Sequence, residues 1–158
     1  MTKKFFKKGF SLIEVVVAVA IISSAFLTLM LVAIISVKLL HQSSNNLKAG
    51  MLLEEGVEAV KIMRDDSWDD NIAVLNNGTN YFLNFNAGAW SASLPNVYID
   101  NFFERKIILS EVKRDANDDI NNLGVVDIGT RKLEVYVSWP GSSGTTTRSV
   151  STYITDLF

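Results

Sequence analysis

Few residues in this chain can do chemistry. His41 is the one histidine and there is no cysteine. That excludes thiolate metal sites, a cysteine nucleophile, a disulfide framework and a multi-histidine metal centre. His41 stands beside a long apolar segment, remote in sequence from any acid–nucleophile set, so a histidine-based hydrolase lacks its parts. It reads as a surface polar residue of an interfacial helix. No glycine-rich phosphate loop is present, and no cofactor is expected. Two acidic clusters invite a cation. Asp65, Asp66, Asp69 and Asp70 put four carboxylates within six residues, but without ligand spacing, and they read as a solvated segment that ends a helix. In the run from Asp115 to Asn122, oxygen ligands recur at Asp115, Asn117 and Asp119, as in Ca²⁺ loops. Ile120 stands where such a loop needs its glycine, and Val126 where it needs the bidentate glutamate. A strand-connecting loop is the better description, with Asp115, Asn117 and Asp119 as the one Ca²⁺ candidate. Trp68, Trp90 and Trp139 suit a ligand platform less well than a core. Arg105, Lys106, Lys113, Arg114, Arg131, Lys132 and Arg148 are interleaved with acids. That gives a mixed solvated face and argues against nucleic acid as a partner. The one oddly placed titratable group is Glu14, a carboxylate inside an apolar run.

The elements that must position these residues begin with that run. From Val15 to Val37 there are 23 residues without a charge, with Ser23, Ser24, Thr28 and Ser36 as the polar side chains. As a helix it spans roughly 34 Å, enough for a hydrocarbon core of roughly 30 Å. The apolar run is too long for a cleaved secretory signal, and nothing downstream is large enough to bury it as a core helix. Lys3, Lys4, Lys7 and Lys8 precede it, whereas the remaining 149 residues carry a formal charge of −6. The positive-inside rule therefore places the N-terminus in the cytoplasm and the C-terminal part outside. A chain of 158 residues leaves room for one domain beyond the span. The mean hydropathy of +0.21 is high for a soluble domain, and the excess lies near the N-terminus. Glu14 facing lipid unpaired would cost a few kcal/mol, unless it sits shallow enough to meet headgroups or water.

The stretch Lys7-Lys8-Gly9-Phe10-Ser11-Leu12-Ile13-Glu14-Val15 resembles the leader and cleavage region of type IV prepilins and pseudopilins. The likeness lies in a basic leader ending in Gly, then Phe, then an apolar helix with Glu at its fifth residue. The resemblance implies that a prepilin peptidase cuts between Gly9 and Phe10 and that Phe10 is N-methylated. It implies that Glu14 serves assembly by neutralising the terminal amine of a neighbouring subunit, since a buried charge with a partner costs far less than one without. Unlike many pilins, the chain has no Pro in the apolar stretch. Ser23 and Ser24 can bond back to the helix but remove no backbone donor, so melting of the helix within a filament is less assured. Leu52 to Lys61, followed by Arg64-Asp65, also resembles the segment where the long helix leaves the membrane in prepilin-like proteins.

Beyond the span, His41 to Ala49 is polar and reads as the exposed middle of a continuing helix. Leu52, Ala59, Val60 and Met63 then recur at helical spacing, with Gly56 on the same stripe to permit a close approach. A helix over residues 10–64 is roughly 82 Å long, so its first half needs lipid or other subunits to cover it. Asn76-Asn77-Gly78 signals a turn, and Tyr81 to Trp90 a short hairpin around Asn86-Ala87-Gly88. Phe102 to Lys113 reads as a strand with Phe103, Ile107 and Leu109 apolar and Arg105, Lys113 and Arg114 polar. Thr130 to Trp139 alternates, with Leu133, Val135, Val137 and Trp139 on one face. Thr145 to Ile154 follows after a Pro140–Gly144 loop. The last three strands form an antiparallel sheet whose apolar face takes the helix stripe at 52–63.

The expected fold is therefore α+β and type IV pilin-like: a long N-terminal helix, membrane-spanning in its first half, packed on a small C-terminal antiparallel sheet. The expected division is a leader at 1–9, a transmembrane and assembly helix at 10–38, its amphipathic continuation at 39–64 and an extracytoplasmic β-rich head at 65–158. The expected role is non-enzymatic: a minor pilin-like subunit of a type IV pilus or related filament. Its implied partners are the prepilin peptidase, other pilin or pseudopilin subunits and an inner-membrane assembly platform. Two alternatives stay open: a pseudopilin of a type II secretion or DNA-uptake system, and an unprocessed single-pass membrane protein with a ligand-binding outer domain.

Overall fold

A computed structural model describes residue 9 and residues 11–142 and 144–157. Helix α1 runs without interruption over Leu12–Asp66, followed by six strands: β1 Tyr81–Asn86, β2 Ala89–Ser93, β3 Tyr98–Ile99, β4 Phe103–Arg114, β5 Val125–Gly141 and β6 Gly144–Thr155. The strands form one antiparallel sheet in the order β2-β1-β4-β5-β6, with β3 paired to β4. This is the expected α+β, pilin-like architecture.

The segment before Asn45 and the segment from Asn45 onward form two compact units. In the first, α1 is helical throughout and every described side chain is exposed. Three of the four hydroxyls between Val15 and Val37 fold back onto the helix. Ser24 Oγ donates to the Ile21 carbonyl at 2.8 Å, Thr28 Oγ1 to that of Ser24 at 2.9 Å and Ser36 Oγ to that of Val32 at 2.8 Å. These bonds satisfy the polar groups without breaking the backbone ladder.

The second unit holds the core. Leu52, Ala59, Val60 and Met63 on α1 are buried with Ile107 and Leu109 of β4, Leu133, Val135 and Val137 of β5 and Ile154 of β6. Gly56 marks where helix and sheet come closest. A Cβ there would stand 2.7 Å from Val135 Cγ1 and 3.2 Å from Arg105 Cδ, so a larger residue forces the layers apart. Trp68 and Trp139 are buried and Trp90 packs against the core, as their reading as core residues expects.

Arg105 differs from expectation. It shares strand parity with Phe103, Ile107 and Leu109, so it faces the helix rather than solvent, and it is 4% exposed. Its Nη1 donates to Glu55 Oε2 at 2.8 Å, and its guanidinium lies 5.2 Å from the centre of the Trp90 ring. A buried guanidinium is tolerable because an ion pair and an aromatic face replace part of its hydration.

Past Asp66 the chain does not run straight into a loop. A single wide helical turn over Asp69–Ala73 buries Ile72. Asn71 Nδ2 donates to the Met63 carbonyl at 2.9 Å and to Asp66 Oδ2 at 3.1 Å, while Ser67 Oγ accepts from the Asp70 amide at 3.1 Å. Asp66 and Asp70 thus serve the helix end, where orphan carbonyls and amides need partners.

Candidate functional site

The N-terminal site is built on the first turn of α1. Gly9 is exposed, with nothing within 4 Å of where a side chain would begin. Phe10 and the residues before Gly9 lie outside the described residues. The Ser11 carbonyl accepts from the Glu14 and Val15 amides at 3.0 and 3.2 Å, which opens the helix. Glu14 sits in that first turn, where the positive end of the helix dipole favours a carboxylate. The carboxylate is solvent-exposed, and no ion pair with it is formed by the described residues.

Behind Glu14 the helix is apolar on every side. Leu12, Phe26 and Leu40 are 83%, 69% and 70% exposed. The helix is long and apolar enough to cross a membrane, and its most apolar window has no buried residue. A helix that is hydrophobic all round must be covered by lipid or by other chains. The arrangement offers an uncovered apolar surface with one carboxylate at its end, which is equipment for insertion and association.

The Ca²⁺ candidate has a different occupation. Asp115 Oδ1 accepts from the Asn117 amide at 2.9 Å and the Asp119 amide at 3.2 Å, and its Oδ2 from Asn121 Nδ2 at 3.3 Å. The Asn117 amide, then the Asn121 side chain, hold this carboxyl below its usual range. Asp115 therefore organises the β4–β5 turn. Asp119 also returns its backbone carbonyl to the Asp115 amide at 2.9 Å. Among the described residues no group of three or more acids or histidines is placed to hold a metal.

Arg114 is the other organiser of that turn. Its Nε donates to Asp127 Oδ2 at 2.7 Å and its Nη1 to the Asp118 carbonyl at 2.8 Å. The Thr130 hydroxyl and the Arg114 guanidinium depress the Asp127 carboxyl, and Asp127 in turn raises Arg114. Of the remaining basic residues, Lys132 pairs with Glu134 at 3.0 Å and Lys106 lies over Tyr136. Arg105, Arg114, Lys132 and Lys106 are thus each held by a different partner. His41 is exposed on α1.

Parity along β4 was the signal that would have placed Arg105 inside. Nothing local marks Arg114 as the hub of the turn, because its partner Asp127 arrives from the next strand.

Residues 5–30 match the family described as the prokaryotic N-terminal methylation motif. The N-terminal segment therefore carries a prepilin- or pseudopilin-type signature, the mark of type IV pilin-like structural proteins. Together with the apolar helix it fits a single-pass inner-membrane protein. No curated protein and no solved structure matches the chain.

Proposed function

We propose that the protein is a minor pilin-like subunit of a type IV pilus or related filament. It enters the inner membrane with its N-terminus in the cytoplasm, as the four leader lysines favour. A prepilin peptidase removes residues 1–9 by cutting between Gly9 and Phe10, and Phe10 becomes N-methylated. In the filament Glu14 meets the terminal amine of an adjacent subunit. Residues 10–38 form the assembly helix, 39–64 its continuation and 65–158 the head outside the membrane.

One observation carries this reading. The methylation motif runs into a helix whose apolar side chains are exposed among the described residues, with Glu14 at its start. Lipid can cover the apolar side chains, but it cannot supply a cation to the carboxylate at hydrocarbon depth. A second subunit supplies both.

The test is the intact mass of the protein co-expressed with a prepilin peptidase, beside Gly9→Leu. Loss of residues 1–9 with gain of one methyl group, absent from the variant, is the expected result. A full-length, unmodified mass in cells that cut a known prepilin overturns the proposal.

A further inference from the structure

The sheet has two faces, and α1 packs on one. Residues directly paired across antiparallel strands share a face. Val135 pairs with Ile107, and both lie in the core against α1. Residues of the other parity form the opposite face. There, one row crosses four strands: Tyr98 pairs with Glu104, Glu104 with Ser138, and Ser138 with Thr147.

The row is preorganised. Asn96 Nδ2 donates to Glu104 Oε2 at 2.6 Å, and the Ser138 and Thr147 hydroxyls are hydrogen-bonded at 2.9 Å. Tyr98 stands 56% exposed at one end. The turn beside it holds Asp100 and Asn101 at φ 52° and 53°, left-handed values that non-glycine residues adopt at a cost. An ion pair from Lys48 to Asp100 ties that turn to α1. Between the turn and the β5–β6 hairpin lies a cleft of about 400 Å³ that Tyr98, Asn101, Glu104, Ser138 and Thr145 help to line. The next row brings Phe82, Lys106 and Tyr136 alongside.

The chemistry of this face selects a ligand. Glu104 and Glu134 balance Lys106 and Lys132 on the same face, so a polyphosphate chain meets as many carboxylates as amines and gains little. A purely apolar ligand would strip water from Glu104 and Ser138 without replacing it. A lone carboxylate already held by an amide is a poor cation site. A neutral polyol has what the row lacks. Its hydroxyls donate to the carboxylate and bond the Ser and Thr hydroxyls, and its C–H faces lie against the tyrosine ring. We propose that the row Tyr98–Glu104–Ser138–Thr147, with the cleft beside it, is a binding site for a neutral oligosaccharide.

The site lies wholly within residues 96–147, so its test does not depend on N-terminal processing. The full chain is held in zwitterionic micelles, because glycosidic detergents would compete. Cellotetraose, chitotetraose and mannotetraose are titrated separately and followed by saturation-transfer NMR, with an oligothymidine as the polyanion probe. At least one tetrasaccharide is expected to bind. Tyr98→Ala is expected to weaken it about tenfold and Glu104→Gln several-fold, with the melting temperature of each variant close to that of the parent. Absence of binding by all three tetrasaccharides overturns the proposal. So does binding that Tyr98→Ala leaves unchanged, or binding of the oligothymidine alone.

Discussion

Two charged residues lie in apolar company along α1, one on the helix itself and one on the strand packed against it, and they are settled differently. Arg105 of β4 lies against the C-terminal half of α1, 4% exposed, with Glu55 at 2.8 Å. Glu14 lies at the other end of α1, in a segment whose apolar residues are all exposed, without an ion pair among the described residues. The C-terminal half of α1 finds both its apolar cover and its counter-charge within the chain. Among the described residues the N-terminal half finds neither. One half is finished by folding, and the other is finished by whatever surrounds it. Among the described residues of the first unit, hydrophobic burial and charge pairing are missing together, which makes Glu14 a guide to its surroundings.

That contrast breaks most sharply at Glu14. If its counter-charge comes from a neighbouring subunit, removing it leaves a terminal amine desolvated and unpaired. Losing one partner of a buried pair costs about 3–5 kcal/mol, which corresponds to about a hundredfold or more in an association equilibrium. Glu14→Ala is therefore expected to insert into the membrane normally, since alanine is easier to insert than glutamate. Its incorporation into filaments, read by immunoblot of sheared filaments against the membrane fraction, should collapse. Normal incorporation would remove the role assigned to Glu14.

The same operation on the finished half should have a smaller effect, confined to folding. Glu55→Ala strands Arg105, whose Nε already lacks a hydrogen-bond partner. Because the Glu55 side chain is 48% exposed, water can partly replace it, and the expected loss is about 1–3 kcal/mol. Thermal unfolding of the full chain in micelles measures it. Adding Arg105→Met to Glu55→Ala should recover most of the loss, because an apolar residue of similar length no longer needs a counter-charge. A neutral Glu55→Ala would show that the pair is ornamental and that the two halves differ in cover alone.

These residues also mark what could be read from the chain. The Gly9-Phe10 and Glu14 pattern and the uncharged run to Val37 are written consecutively, and α1 and its methylation motif follow from them directly. Alternation from Thr130 to Trp139 located β5, and the stripe at Leu52, Ala59, Val60 and Met63 located its helical partner. Local pattern treated Arg105 by residue type, whereas burial follows strand parity and a partner about 50 residues earlier. The acids of the β4–β5 turn read as a solvated strand-connecting loop, and residues 116–123 are exposed between the two strands. Its organiser is Arg114, which reaches Asp127 across the turn. The row on the open sheet face assembles residues from four strands, a juxtaposition that register creates and that no window of sequence contains.

The smallest effect is expected at the Arg114–Asp127 pair, which is closed within the chain like Arg105–Glu55 but stands near solvent. The Asp127 carboxyl is depressed by the Thr130 hydroxyl and by Arg114, so the folded state releases this proton more readily than the unfolded one. Its contribution is complete above the ordinary carboxylate range near pH ~4. It disappears as pH falls through the lower folded value. Asp115 is shifted in the same direction by the Asn117 amide and the Asn121 side chain, so the two act in one window and in one turn. Acidification below about pH 4 should therefore loosen the β4–β5 turn before it disturbs the helix–sheet core. Carboxyl carbon shifts followed by NMR should show Asp127 titrating below an unperturbed aspartate, and Arg114→Gln should move that midpoint back up. An unchanged midpoint would mean that the Thr130 hydroxyl and the Gly129 amide hold the carboxylate, and that the exposed ion pair adds nothing the solvent does not already provide.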